Sequence, residues 1–232
     1  MTFMFALVGS GEFLPVMASI DRELLKGRKP SVAVIPTASA QDGEARFQHW
    51  ISLARKHYAP MGVDVRGIEV RDRSEAENFT NLDDISTAGL VYLSGGNPGF
   101  LASALRNTPV WAAIESAAHN GAAIAGCSAG AMAMGALAPI VREPEAIMGP
   151  GIGMIPNIAV IPHFDQIRGW VPGIVERYLE HAGAGVSVVG IDESTALIGS
   201  PGDWVVRGDQ NVHLIRSVNE VDVYGPGDRL RI

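Results

Sequence analysis

The stretch AIAGCSAGAMAMG, residues 123–135, decides the fold. Its first half is a short apolar run of the kind that forms a strand buried on both faces. Its second half, AGAMAMG, can open a helix. Ser128 falls between them, centred in a Gly-x-Ser-x-Gly frame made by Gly126, Ser128 and Gly130. A strand that bends directly into a helix needs small neighbours at the bend, and Gly126, Ala129, Gly130 and Ala131 meet that need. Such a turn presents the serine hydroxyl at the carboxyl end of the sheet. It also aims the N–H of Ala129 at the same point, near a helix N-terminus. Cys127, one position before the bend, reads as a small buried hydrophobe.

Working outward, the same kind of run recurs in MFALVG, SVAVIPT, VDVRGIEV, AGLVYLSGG, NIAVIPHF and VSVVGID. Each ends at glycine or proline or in polar residues, and helical patterns lie between several of them. DGEARFQHWISLARKHYAPMG places Phe47, Trp50, Ile51 and Ala54 on one helix face. GFLASALRNTPVWAAIESAAHNG reads as one or two helices broken near Pro109, and WVPGIVERYLEHAG as another. Alternating strands and helices predict an α/β fold with a mostly parallel central sheet flanked by helices on both faces. The tail, from TALIGS to EVDVYGPGDRLRI, predicts antiparallel hairpins on one edge.

The 232 residues show no composition shift, so a single domain over 1–232 is expected. A chain of that size buries roughly 70–75% of its unfolded surface without covalent staples. One cysteine excludes an internal disulfide framework and fits a reduced, cytoplasmic setting. The net charge is −7, from 18 basic and 25 acidic residues, with no basic block. That argues against nucleic acid and anionic membrane as partners. The N-terminus lacks a basic region before its apolar run and reads as a first strand, not a signal peptide. The uncharged stretch between Glu115 and Arg142 is long enough to cross a bilayer, but its alanines, glycines and Pro139 fit a buried strand and helix better. No spacing of Cys, His or acids suggests a metal, and none points to a cofactor. GSGEF, residues 9–13, lacks the pattern of a nucleotide loop and reads as a tight turn lining a pocket. A homodimer is one expectation.

A serine hydroxyl needs a base. Six histidines are available. His49 and His57 read as a solvated helix face, His119 and His181 as helix ends, and His213 as an alternating hairpin residue. His163 follows a β-branched strand and Pro162, which puts it at the carboxyl end of an expected central strand, where α/β sheets place active groups. Asp192 and Glu193 follow another apolar run. Adjacent residues point in opposite directions, so one of the two is expected to face His163. Asp165 and Glu145 read more simply as loop charges. A second oxyanion donor is expected from Gly95-Gly96-Asn97, where glycine lets backbone approach a substrate.

The pieces GGN, GCSAGA, PHF and GIDESTAL, in that order, together with IPTAS at residues 35–39, resemble the serine peptidases that include peptidase E and cyanophycinase. The likeness covers most of the chain. It implies a class I glutamine amidotransferase-like sheet with Ser128 as nucleophile, His163 as base and Glu193 as orienting acid. Gly96 and Ala129 would supply the oxyanion N–H groups. The acid follows the histidine in chain order, which favours this family over α/β-hydrolases. The implied reaction is hydrolysis of a small peptide, a dipeptide or an isoaspartyl or cyanophycin-like substrate. Asn97 and Arg168 are the candidate substrate contacts. Competing readings are an esterase using His213 and Glu145, or a non-catalytic binding module on the same fold.

Overall fold

The computed structural model describes residues 3–140 and 147–232, apart from the side chains of Ile147 and Arg168. In chain order the main elements are β1 (Met4–Val8), α1 (Ala18–Leu25), β2 (Ser31–Ile35), α2 (Glu44–Tyr58), β3 (Asp64–Gly67), α3 (Arg73–Asn78), α4 (Asp83–Ser86) and β4 (Leu90–Leu93). There follow α5 (Pro98–Leu105), α6 (Pro109–His119), β5 (Ala123–Cys127), α7 (Ala129–Met134), β6 (Leu137–Ile140), β7 (Ile147–Pro150), β8 (Ile158–Ile161), α8 (Phe164–Trp170) and α9 (Ile174–His181). The chain closes with β9 (Ser187–Ile191), β10 (Thr195–Ser200), β11 (Asp203–Gly208), β12 (Val212–Ser217), β13 (Glu220–Tyr224) and β14 (Arg229–Leu230).

An eight-stranded sheet runs in the order β14-β11-β10-β1-β5-β4-β2-β3. Its members β1, β5, β4, β2 and β3 are parallel, and β10, β11 and β14 extend it antiparallel beyond β1. Alternation along the strands sorts side chains onto two faces. Ala6, Val8, Val32, Val34, Leu90 and Tyr92 pack against Ile20 and Leu24 of α1 and Ala54 and Tyr58 of α2. Phe5, Leu7, Ala33, Ile35, Val91 and Leu93 face Leu101 and Leu105 of α5 and Val110 and Ile114 of α6. Both faces are apolar because both are covered, which is why these strands lack an apolar–polar alternation. Edge strand β3 is partly exposed, so only part of VDVRGIEV behaves as the buried run it resembles. The broken helical pattern resolves into two helices. Thr108 caps α6 by accepting from the Trp111 N–H at 3.3 Å, and Pro109 occupies its first turn.

The second sheet, β13-β12-β9-β8, corrects one expectation. The strand leading to His163 is not in the central sheet; β8 is the end strand of this four-stranded sheet, parallel to β9. It mimics a central strand in sequence because it too is covered twice. Ile158 and Val160 join the core of the first sheet, while Ala159 and Ile161 pack under Ile174, Val175 and Tyr178 of α9. The C-terminal hairpins are divided as well, β10–β11 going to the first sheet and β12–β13 to the second. Among the described residues no helix is long and apolar enough to cross a membrane.

His57 is the second correction. Its side chain is 4% exposed, and Nε2 lies 2.7 Å from Asp21 Oδ2 on α1. Helical spacing points Ala54 and Tyr58 inward, and His57 at their flank meets a buried acid that periodicity cannot reveal.

Removing one partner of such a buried pair is costly because the other stays desolvated. His57→Ala is expected to lower unfolding free energy by about 3–5 kcal/mol in urea titrations. At the bend, a Cβ on Gly126 would lie 2.5 Å from the Gly130 carbonyl carbon. Gly126→Ala is therefore expected to cost about 1–3 kcal/mol in the same titration, and an unchanged midpoint would refute the close-packed turn.

Candidate active site

Ser128 sits at φ 51°, ψ −111°, a positive-φ conformation outside the left-handed helical basin that a side chain adopts only under tertiary constraint. The constraint is contact between backbones. A Cβ on Gly130 would overlap the Leu93 carbonyl, and one on Gly126 would press on α7. The Ser128 N–H donates to the Val8 carbonyl at 2.9 Å, which ties the bend to β1. Ala129 follows as the first residue of α7, so its N–H has no intrahelical acceptor.

His163 follows β8 and also has a positive φ, in the left-handed region at φ 48°, ψ 39°. Its Nε2 lies 3.1 Å from Ser128 Oγ, and its Nδ1 lies 2.8 Å from Glu193 Oε1. The register of the parallel pair explains the meeting of His163 and Glu193. Ile161 stands opposite Gly190, so residues two or three positions further along both strands emerge at the same sheet edge. Glu193 is fixed in turn. Its N–H donates to Asp165 Oδ1 at 2.9 Å, and its carbonyl accepts from Gln210 Nε2 at 3.1 Å. Partial burial alone would raise the Asp165 pKa, but the Glu193 N–H and the Gln166 amide favour its anion and hold it below the usual range.

Of the two adjacent acids, Asp192 turns the other way. It is 3% exposed, lies 2.9 Å from His213 Nε2 and accepts the Asn211 N–H at 3.2 Å. His213 also packs on the Phe164 ring, 4.7 Å between centroids. The structure thus gives His213 to Asp192 and brings His163, not His213, to Ser128.

Asn97, expected at the substrate, has a different job. Its Oδ1 caps α5 by accepting the Phe100 N–H at 3.0 Å, its Nδ2 donates to Gln41 Oε1 at 3.1 Å, and the residue is 4% exposed. Asparagine before Pro98 is a strong N-cap signal. Glu145 and the side chain of Arg168 lie outside the described residues.

A cavity of about 180 Å³ opens beside Ser128 and His163 and is walled by Gly95, Gly96, Ser39, Trp50, Arg46, Asp42 and Glu12. Larger hollows elsewhere on the surface contain none of Ser128, His163 or Glu193. The wall includes a residue that motif reading missed. Glu12, in the GSGEF turn, is 6% exposed, accepts the Gly95 N–H at 3.0 Å through Oε1 and the Cys127 thiol at 2.9 Å through Oε2. The carboxylate beside an apolar turn was the available signal, since a buried acid must find donors. Burial, then the neighbouring Glu12 charge, pushes the Cys127 thiol well above its usual pKa, so it stays protonated and serves as a donor. Trp170, 60% exposed at the end of α8, lies 5.6 Å from the His163 ring, centroid to centroid.

Comparison with known proteins identifies the family of the chain. Residues 5–204 match the family model of peptidase family S51. Over 199 residues the chain is 25% identical to a cyanophycinase of Trichormus variabilis, covering 81% of this chain and 63% of that protein. A cyanophycinase of Thermosynechococcus vestitus is 28% identical over 195 residues, covering 79% of this chain and 58% of that one. The chain therefore spans about 63% of the length of the first of these relatives. The crystal structure of a peptidase from an acI-B1 Actinobacterium superimposes with a TM-score of 0.90 at 33% identity, covering 100% of this chain and 98% of that one. A putative peptidase E from Listeria monocytogenes shares the fold, with a TM-score of 0.58 at 16% identity over 97% of this chain and 99% of that one. With a family match that runs from the first strand through Trp204 and a near-superimposable peptidase structure, the chain belongs to peptidase family S51.

Proposed function

We propose that the chain is a serine-type peptidase that hydrolyses small peptides through an acyl-enzyme on Ser128. The observation that carries this reading is the hydrogen-bonded line from Ser128 Oγ to His163 Nε2, 3.1 Å, and from His163 Nδ1 to Glu193 Oε1, 2.8 Å. In it His163 takes the Ser128 proton as Oγ attacks the amide carbonyl. Glu193 accepts the Nδ1–H, which leaves Nε2 free as the base and stabilises the imidazolium that forms. The negative charge that develops on the carbonyl oxygen falls to the Gly96 and Ala129 N–H groups. His163 then returns its proton to the leaving amine, and water, deprotonated by the same imidazole, releases the acyl group.

The cavity of about 180 Å³ is small beside the roughly 300–1,000 Å³ of drug-sized pockets, which suits an acyl group of one residue. A dipeptide or an isopeptide is the substrate class we favour. The cyanophycinases among the relatives put β-aspartyl bonds on the test panel beside ordinary ones.

Ser128→Ala is expected to lower kcat/KM about 10⁴-fold or more while the melting temperature holds. A fluorophosphonate should label wild type at Ser128, located by mass spectrometry. Turnover surviving in Ser128→Ala on a dipeptide and isopeptide panel would refute the assignment. His163→Ala should be as slow as the serine variant and His213→Ala should keep its turnover; the opposite order would favour the esterase arrangement. Glu193→Gln, which removes the anion that stabilises the imidazolium and can donate its amide N–H to Nδ1 so that Nε2 carries the proton, is expected to slow kcat by about 10³–10⁴-fold.

A further inference from the structure

The loop after β4 has four consecutive N–H groups, and three are already in use. Ser94 donates to the Ile35 carbonyl at 3.3 Å and Asn97 to the Ala38 carbonyl at 2.7 Å. Gly95 donates to Glu12 Oε1 at 3.0 Å. Gly96 alone of the four has no acceptor among the described residues, and it lines the cavity beside Ser128. Its backbone is held in a conformation, φ +144°, in which a Cβ would overlap the Ala38 carbonyl. Two of the three anchors are backbone groups at the end of β2 and just beyond it. The third, on the residue directly before Gly96, is a side chain from a loop more than eighty positions away.

We propose that Glu12 is a positioning residue that aims the Gly96 N–H at the oxyanion. The proposal rests on the serine-peptidase reading above. The peptide unit carrying the Gly96 N–H begins at Gly95. Holding the Gly95 N–H therefore limits the rotation that would turn the next N–H away from Ser128. The second oxygen of the same carboxylate takes the Cys127 thiol at 2.9 Å, one residue before the nucleophile. One side chain thus links the two segments that supply the two oxyanion donors. The spacing is tight: a methyl placed on Gly95 would lie 3.0 Å from Glu12 Oε1, 3.6 Å from Ser128 Cβ and 3.9 Å from Ser128 Oγ.

Electrostatics separates this role from a purely electrostatic one. A carboxylate this close to a developing oxyanion opposes it, and burying the group is itself unfavourable. Its benefit to the reaction must therefore be geometric, through the hydrogen bond to Gly95. A neutral acceptor of the same length should serve, and a charged acceptor one methylene shorter should not.

Glu12→Ala should lower kcat by about 10–100-fold, somewhat less than deletion of an oxyanion donor, with KM within about 3-fold of wild type. Glu12→Gln, which keeps an amide oxygen for the Gly95 N–H, should return kcat to within about 5-fold of wild type. Glu12→Asp should be as slow as Glu12→Ala. A peptide aldehyde, whose hemiacetal oxygen occupies the oxyanion position, should bind more weakly in proportion to each loss. Equal kcat in all forms, a Gln variant slower than the Asp variant, or aldehyde affinity that does not follow kcat would each overturn the proposal. If Glu12→Ala does not fold, the order of Gln and Asp decides by itself. A Ser128→Ala control run alongside separates the two readings. Activity in that control sinks the peptidase mechanism, whereas a dead control with fully active Glu12→Ala and Glu12→Asp sinks only the role of Glu12.

Discussion

The site depends on one backbone constraint, the positive-φ bend at Ser128. A non-glycine residue at φ 51° costs of order 1–3 kcal/mol and persists only where its surroundings over-determine it. Here they do so by contact. The turn brings α7 so close to β4 and β5 that Gly126 and Gly130 have no room for a Cβ, and the Ser128 N–H is bonded to β1. The same closeness presents the hydroxyl toward His163 and makes Ala129 the first residue of α7, with its N–H outside the helical ladder. Enlarging the frame would relax the bend and move the hydroxyl.

The other half of the constellation comes from a different sheet. His163 and Glu193 stand beyond β8 and β9, while Ser128 and the Gly96 loop stand beyond β5 and β4. Their alignment is set where the chain passes from β9 in the second sheet to β10 in the first, at Asp192 to Ser194. There the Gly9 N–H donates to the Thr195 carbonyl at 2.9 Å, and a Cβ on Gly9 would overlap the Asp192 carbonyl. Shared apolar packing completes the joint, with Val189 and Ile191 of one sheet in the same core as Leu197 and Leu7 of the other. A hydrogen bond of 3.1 Å between imidazole and hydroxyl is thus a measure of how two sheets dock.

Three buried acids show how the molecule accommodates charge near its core. Asp21 takes His57, Asp192 takes His213, and Glu12 takes a peptide N–H and a thiol. Each would be expensive without donors. The Glu12 case differs in that both donors belong to the segments beside Ser128 and Gly96, so satisfying the carboxylate also ties the Gly95–Gly96 loop to the Ser128 turn.

Local chemistry determined a good deal. Glycines around Ser128 imply the bend, proline after a capping residue marks the starts of α5 and α6, and uninterrupted apolar runs imply strands covered twice. These signals act over a few residues and are therefore readable in order along the chain. What tertiary structure decided is which distant groups meet. Apolar period cannot assign a strand to a sheet, so β8 read as central although it ends a second sheet. Side-chain type cannot name a partner, so His57 read as solvated while Asp21 waited on another helix, and Asn97 read as a ligand contact while it capped one. Glu12 carries no motif at all. Its meaning comes from Gly95 and Cys127, which only the packing of three strand ends brings within hydrogen-bond reach.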